Sequence, residues 1–171
     1  MTAPIARPRP RTVVPVLALA ALLLASCGDD GPPPSTASTA ITFPATDGVQ
    51  LSGRIFGPDE GAAGVVLAHM SPSDQTAWFD FAERLAREGY RVLTFNFRGY
   101  CPGGDGGCSE GERDVPNIGK DVEGAIAELR RRGVTRVGLV GASMGWTASL
   151  IVAADEGHDV GAESVTTAST S

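Results

Sequence analysis

The sequence carries little basic charge and few histidines. Its 171 residues include 14 Lys and Arg against 20 Asp and Glu, for a formal net charge of −6. Because no basic patch is available to neutralise phosphates, a nucleic-acid partner is not expected. The segment after Ala68 reads His-Met-Ser-Pro and has no G-x-G-x-x-G pattern, which argues against a dinucleotide-binding domain. No cofactor and no metal are expected.

Residues 1–26 have the organisation of a bacterial export signal. Arginines at positions 7, 9 and 11 precede an apolar segment, 13–25, that is short for a permanent membrane span. The run Leu24-Ala25-Ser26-Cys27-Gly28 resembles the lipobox of bacterial lipoproteins, which implies a diacylglycerol on the Cys27 sulfur. An ordinary secretory signal with an incidental cysteine is the alternative. We expect an extracytoplasmic protein, anchored to the cell membrane through Cys27, with residues 27–40 as a flexible tether.

Cys101 and Cys108 enclose a short loop that contains four glycines. Outside the cytoplasm such a pair can oxidise to a disulfide, and two free thiols are the alternative. A zinc site is disfavoured because two cysteines without a second pair fall short of four ligands. The same loop region carries acidic residues that are predicted to be solvated, with substrate contact or cation binding as the alternatives: Asp105, Glu110, Glu112 and Asp114.

The hydrophobic pattern of the rest of the chain predicts an α/β domain over residues 41–171. A β-hairpin, with a turn at Thr46-Asp47-Gly48, is followed by alternating strands and helices. Such alternation indicates parallel strands joined by right-handed crossovers, with helices on both faces of a three-layer sheet. The predicted strands are 40–43, 51–56, 64–68, 90–97, 136–140 and 160–168, and the predicted helices lie near 78–86, 122–129 and 146–156.

The run Gly141-Ala142-Ser143-Met144-Gly145 lies where the strand 136–140 gives way to a helix. A serine between glycines at a strand-to-helix junction is typical of a nucleophile elbow. The turn is tight enough that only small residues fit two positions before and after the serine. The hydroxyl then projects above the sheet, and the next helix directs its N-terminus at a developing oxyanion.

Three segments in this order resemble the N-terminal portion of α/β-hydrolases, closest to dienelactone-hydrolase-like and serine-aminopeptidase-like members. They are Leu67-Ala68-His69-Met70, Phe95-Asn96-Phe97-Arg98-Gly99-Tyr100 and the serine turn itself. The resemblance implies that Ser143 is the nucleophile and that the backbone N–H of Met144 is one oxyanion donor. It also implies a second donor at Met70 or Ser71, and a second-shell role for His69 in bracing that loop. The implied fold is an α/β-hydrolase sheet that ends after about its sixth strand.

The partners that would activate the serine are not apparent. His158 lies 15 residues beyond Ser143, past the intervening helix, and Asp155 and Asp159 lie near the same helix end. At about 1.5 Å per helical residue they are roughly 20 Å from the hydroxyl. His69 as a surrogate base is the minor alternative to its structural role. We therefore expect a hydrolase-type chain with little or no turnover of small esters or amides. The alternative is a non-catalytic lipid-anchored binding protein, with self-association through the exposed sheet edge as a further expectation.

Overall fold

The computed structural model of the chain describes residues 37–59, 63–156 and 160–164. Cys27, His158 and Asp159, which entered the sequence predictions, lie outside the described residues, as does most of the predicted tether. No helix in the described part of the chain is long and apolar enough to cross a bilayer.

The described strands form one mixed sheet in the order β1-β2-β4-β3-β5-β6. The two pairs β1–β2 and β2–β4 are antiparallel, whereas β3–β4, β3–β5 and β5–β6 are parallel. Among the described strands, β1 and β6 each have a single neighbour. The strands are β1 Ser38–Pro44, β2 Gln50–Phe56, β3 Ala63–Ala68, β4 Arg91–Phe95, β5 Arg136–Gly141 and β6 Val160–Ser164.

Three α-helices connect the parallel strands: α1 Phe79–Arg87, α2 Ile118–Arg131 and α3 Met144–Glu156. A 3-10 turn, Gln75–Trp78, precedes α1, and two shorter ones lie at Gly104–Gly106 and Val115–Asn117. The predicted alternation of strands and helices is confirmed. The N-terminal hairpin is also present, and its turn is closed by the N–H of Gly48, which donates to the Ala45 carbonyl at 2.9 Å.

The first strand begins earlier than predicted. Residues 38–40 fall in the stretch expected to be a flexible tether, yet Ser38 pairs with Phe56 and Thr39 with Ile55. Ser38 and Thr39 are polar and follow a segment rich in Pro and Ser, so the local sequence does not predict a strand there. The neighbouring strand supplies the hydrogen-bond partners, so the pairing is decided by β2 and not by the local sequence.

The helices cover the two faces of the sheet unequally. On one face, α1 places Ala82 and Ala86 against side chains of β2, β3 and β4 such as Phe56 and Leu67. On the other, α2 and α3 pack side chains such as Val122 and Val152 against the remaining strand residues. Strand β3 lies between the two layers, which is why consecutive residues Val66, Leu67 and Ala68 are all buried. The predicted three-layer arrangement is confirmed.

A buried arginine joins the C-terminal end of β4 to the hairpin turn and to α2. The guanidinium of Arg98 donates two hydrogen bonds to Asp121 Oδ1, at 2.9 and 2.7 Å, and two to the Asp47 carboxylate, at 2.9 and 3.0 Å. The backbone N–H of Arg98 donates to Asp121 Oδ2 at 3.0 Å. The hydrogen bond from Arg98 lowers the pKa of Asp47 to about 2, and the two carboxylates hold the pKa of Arg98 above its ordinary value. These ion pairs therefore hold the C-terminal end of β4, the hairpin turn and α2 in a fixed arrangement.

The loop between β4 and α2 is closed by a disulfide between Cys101 and Cys108. The carbonyl of Gly106, inside that loop, accepts hydrogen bonds from the side-chain amides of Asn96, at 2.6 Å, and Gln75, at 2.7 Å. Both amides are buried, so the loop is held against the sheet as well as closed upon itself.

Candidate active site

Ser143 lies immediately beyond β5 and directly before α3, with a positive backbone φ of 48°. It is the one residue other than glycine with positive φ in the described part of the chain. L-residues with a side chain avoid this region, because Cβ approaches the following carbonyl at a cost of about 1–2 kcal/mol. A conformation of this kind persists only where the surrounding structure enforces it.

The glycines on either side of Ser143 show what enforces the bend. A Cβ on Gly145 would collide with the carbonyl of Ala68 in β3, and one on Gly141 would lie 2.5 Å from the Gly145 carbonyl carbon. Two hydrogen bonds close the turn: Ala142 N–H donates to Ala68 O at 3.2 Å, and Gly145 N–H donates to Ala142 O at 2.9 Å. Close packing against β3 therefore bends the backbone, and the Ser143 side chain is left exposed to solvent.

The expected oxyanion donors divide between two adjacent cavities. Ser71 and Met144 line the same cavity as Ser143, whereas Met70 lines a smaller neighbouring one of about 140 Å³. Among the described residues, neither the Met70 nor the Ser71 amide donates a backbone hydrogen bond. Ser71 and Met144 therefore lie at the Ser143 cavity, whereas Met70 lies at the smaller one.

His69 is buried, and both of its ring nitrogens are used within the fold. The N–H of Phe97 donates to His69 Nε2 at 3.2 Å, so Nε2 is unprotonated and Nδ1 carries the proton that it donates to the Met70 carbonyl at 2.9 Å. Burial lowers the pKa of His69, which keeps the ring neutral. The imidazole holds the loop after β3 against the end of β4 and has no free nitrogen to take a proton from Ser143.

The cavity beside Ser143 has a volume of about 580 Å³ and a mainly apolar lining. Two arginines also face it, and they differ sharply: Arg98 is buried and bonded to two carboxylates, whereas Arg113 is exposed. The full lining consists of Ser71, Arg98, Tyr100, Arg113, Asp114, Val115, Ile118, Ser143, Met144, Trp146 and Thr147.

Of the acidic residues predicted near the site, Asp114 alone lines the cavity. Its Oδ2 accepts a hydrogen bond from the Asn117 side chain at 2.6 Å. Asp105 instead pairs with Arg54 at 3.4 Å, with its own side chain 88% exposed. Asp155 lies on the last turn of α3, at the end of the helix remote from Ser143. Within the described residues, no carboxylate and imidazole stand together behind the serine hydroxyl.

A sequence profile of the α/β-hydrolase fold matches residues 64–169, more than half of the chain. The chain belongs to the α/β-hydrolase fold family.

Solved structures agree with this assignment. An esterase of Pyrococcus furiosus is 26% identical, with a TM-score of 0.57 over 67% of this chain and 46% of its own. An esterase of Exiguobacterium antarcticum is also 26% identical, with a TM-score of 0.57 over 71% of this chain and 42% of its own. A variant of the Vigna radiata epoxide hydrolase, 23% identical with a TM-score of 0.58 over 72% of this chain and 36% of its own, shares the fold. The chain spans less than half the length of each of these structures. A search of curated protein sequences finds no match.

Two features of this hydrolase fold were not predicted from the sequence. The ion pairs of Arg98 join residues 51 and 23 positions away, and no local pattern marks such partners. Arg113 lies over the ring of Tyr100, with Cζ 4.1 Å from the ring centroid. The sequence signal for this arginine is its place directly before Asp114, but the loop's acidic residues dominate the local composition. Among the described residues, no group of three or more His, Cys, Asp or Glu side chains is arranged to hold a metal ion.

Proposed function

We propose that the chain is a serine-hydrolase-type protein whose Ser143 hydroxyl is the nucleophile toward small esters or amides. The observation that carries the proposal is the backbone of Ser143. Its positive φ is enforced by the packing of Gly145 against β3, which turns the exposed side chain outward. Ser143 also lines a cavity of about 580 Å³. The esterase structures that resemble the chain at 26% identity support this choice of chemistry.

In the proposed reaction, the Ser143 oxygen attacks the carbonyl carbon as its proton passes to water, and the carbonyl π electrons move onto oxygen to form a tetrahedral oxyanion. Collapse of this intermediate expels the alcohol or amine, which takes up a proton, and water then hydrolyses the acyl-serine. The amides of Met144 and of Ser71 or Met70 would donate to that oxygen, with the N-terminus of α3 adding its positive end. A serine hydroxyl is a weak nucleophile until a base removes its proton. His69 has no free nitrogen for this task, so we propose slow turnover by this chain, lower by several orders of magnitude than with a complete triad.

A fluorophosphonate probe tests both parts of the proposal. We expect slow labelling of the native full chain at Ser143, located by peptide mass spectrometry, and no labelling at that position in Ser143→Ala. Ser73→Ala, which alters a serine lining the neighbouring cavity, is the matched control and should label like the parent chain. Labelling within minutes at low probe concentration would contradict slow turnover. Labelling spread evenly over several serines would contradict the nucleophile assignment.

We further propose that the protein is held at the outer side of a bacterial membrane by lipid on Cys27. The lipobox-like sequence 24–28 supports this location. The Cys101–Cys108 disulfide is a second support, because such bonds persist in oxidising compartments.

A non-catalytic binding or interaction protein is the second candidate. The helix α3 presents Leu150 and Ile151 to solvent, 50% and 56% exposed, and β6 has one neighbour among the described strands. An exposed apolar helix face beside a sheet edge favours association with another protein surface, including a second copy. This candidate requires no special reactivity at Ser143, so the same labelling experiment separates the two.

A further inference from the structure

Arg113 is a cation in the Ser143 cavity that no carboxylate neutralises within the described part of the chain. Its guanidinium lies over the Tyr100 ring, and its side chain forms no ion pair with another described residue. Arg98, in the same cavity, differs in this respect, because the carboxylates of Asp47 and Asp121 neutralise it. The cavity is thus lined by Arg98, whose charge is neutralised within the fold, and by Arg113, whose N–H groups are available to a ligand.

The structure fixes the position of Arg113 closely. The backbone at Glu112 and Arg113 packs directly on Gly99, which has a φ of 72° and no room for a side chain on that side. Tyr100 is buried, and its hydroxyl donates to the sulfur of Met144 at 3.9 Å. A continuous series of contacts therefore leads from the residue after the nucleophile to the guanidinium. A stacked guanidinium loses little further conformational freedom when it binds a ligand.

The neighbouring acid forms no ion pair with Arg113 among the described residues. Asp114 lines the same cavity, and its Oδ2 accepts a hydrogen bond from the side-chain amide of Asn117 at 2.6 Å. The Arg113 side chain makes no hydrogen bond or ion pair to another described residue besides its contact with the Tyr100 ring, so its fork of donors remains available to a ligand. A planar guanidinium fork matches a carboxylate in two parallel hydrogen bonds.

We propose that Arg113 is a specificity-determining residue that binds a carboxylate carried by the substrate, apart from the bond that Ser143 attacks. The substrate class is then a small ester or amide with a free acid group, such as a half-ester of a dicarboxylic acid. The apolar wall formed by Val115, Ile118 and Trp146 accommodates the carbon chain between the two polar ends. This inference rests on the proposed function, because it assigns the substrate of the same cavity.

Binding of a matched ligand pair tests the proposal without requiring turnover. Monomethyl glutarate, which is anionic, and dimethyl glutarate, which is neutral, are titrated into the full chain carrying Ser143→Ala. Binding is followed by ligand-observed NMR and by the fluorescence of the chain's two tryptophans, of which Trp146 lines the cavity. We expect Arg113→Gln to weaken binding of the monoester by about tenfold and to leave the diester unchanged. Added salt should weaken monoester binding in the parent and have little effect in the variant.

The control is Arg136→Gln, which makes the same charge change at an exposed arginine at the start of β5, the strand end opposite Ser143. It should leave binding of both ligands unchanged. Equal affinity of the parent and Arg113→Gln for the monoester would overturn the proposal, as would an equal loss in Arg136→Gln. Because binding is measured without the serine hydroxyl, this result is independent of the fluorophosphonate experiment. Failure of the carboxylate site is thereby distinguishable from failure of the nucleophile assignment.

Discussion

The backbone at Ser143 stores strain that a different residue would release. With φ at 48°, serine occupies a region that glycine enters freely and other residues avoid. We expect Ser143→Gly to raise the free energy of unfolding by about 1 kcal/mol relative to Ser143→Ala, because alanine keeps the Cβ. Both variants lack the hydroxyl, so urea denaturation of the pair isolates the backbone effect. Equal unfolding midpoints would mean that the turn is not strained.

Residue roles fall into two groups by how far the sequence could predict them. The position of Ser143 followed from glycines within two residues of it, because the steric demand is local. The bracing role of His69 was expected from resemblance, and the structure supplies its two backbone partners at Phe97 and Met70. Arg98 is bound by carboxylates distant in sequence, and only the folded sheet brings them together. Local geometry is thus encoded locally, whereas long-range charge pairing is not.

Among the elements, the end of β4 shows why a hydrophobic pattern misplaces a boundary. The sequence predicted a strand over 90–97, whereas the ladder ends at Phe95. Phe97 is fully buried, so its hydrophobicity continues the pattern. Its N–H, however, donates to the side chain of His69 in place of a neighbouring strand. At Phe97 the side chain is buried although the backbone is not paired with a neighbouring strand. Hydrophobic periodicity indicates burial and does not indicate strand pairing.

The Arg98 ion pairs connect three elements, and their removal should be costly. Arg98→Ala leaves the Asp121 carboxylate buried without its counter-charge, so we expect a loss of about 3–5 kcal/mol in the free energy of unfolding. The double variant Arg98→Ala with Asp121→Asn should recover part of that loss, because no charge is then stranded. Chemical denaturation of both variants provides the measurement.

The matched control for this cost is Arg87→Ala, which removes the solvent-accessible pair with Glu83 on α1, 3.7 Å apart. Such pairs contribute less than about 1 kcal/mol. A cost for Arg98→Ala no larger than that of the control would show that the network does not hold the elements together.

At the scale of the whole molecule, stability should depend on pH through His69. Burial lowers the pKa of its imidazole below the ordinary value of 6.5, so the unfolded chain takes up a proton first as the pH falls. The contribution of neutral His69 to the free energy of unfolding is therefore fully present above about pH 6.5. Below that pH the free energy of unfolding declines, by up to about 1.4 kcal/mol per pH unit. Thermal or urea unfolding at pH 7.5 and pH 5.5 measures the difference.

The variant His69→Gln removes this titration and should flatten the profile between those two pH values, although its overall stability is lower because the hydrogen bonds change. His158→Gln alters the chain's other histidine, which the sequence places past the helix that follows Ser143, and should keep the parent's slope. An unchanged slope in His69→Gln would assign the pH dependence to other groups.

The packing of Gly145 on Ala68 also bears on which changes the turn tolerates. The contacts and hydrogen bonds that bend the chain at Ser143 come from the backbone of β3, of β5 and of the turn itself. None of them uses the serine hydroxyl, so the shape of the turn depends on Gly141, Gly145 and Ala68. Reactivity and shape are therefore separable here: the alcohol can be exchanged while the scaffold that presents it stays in place.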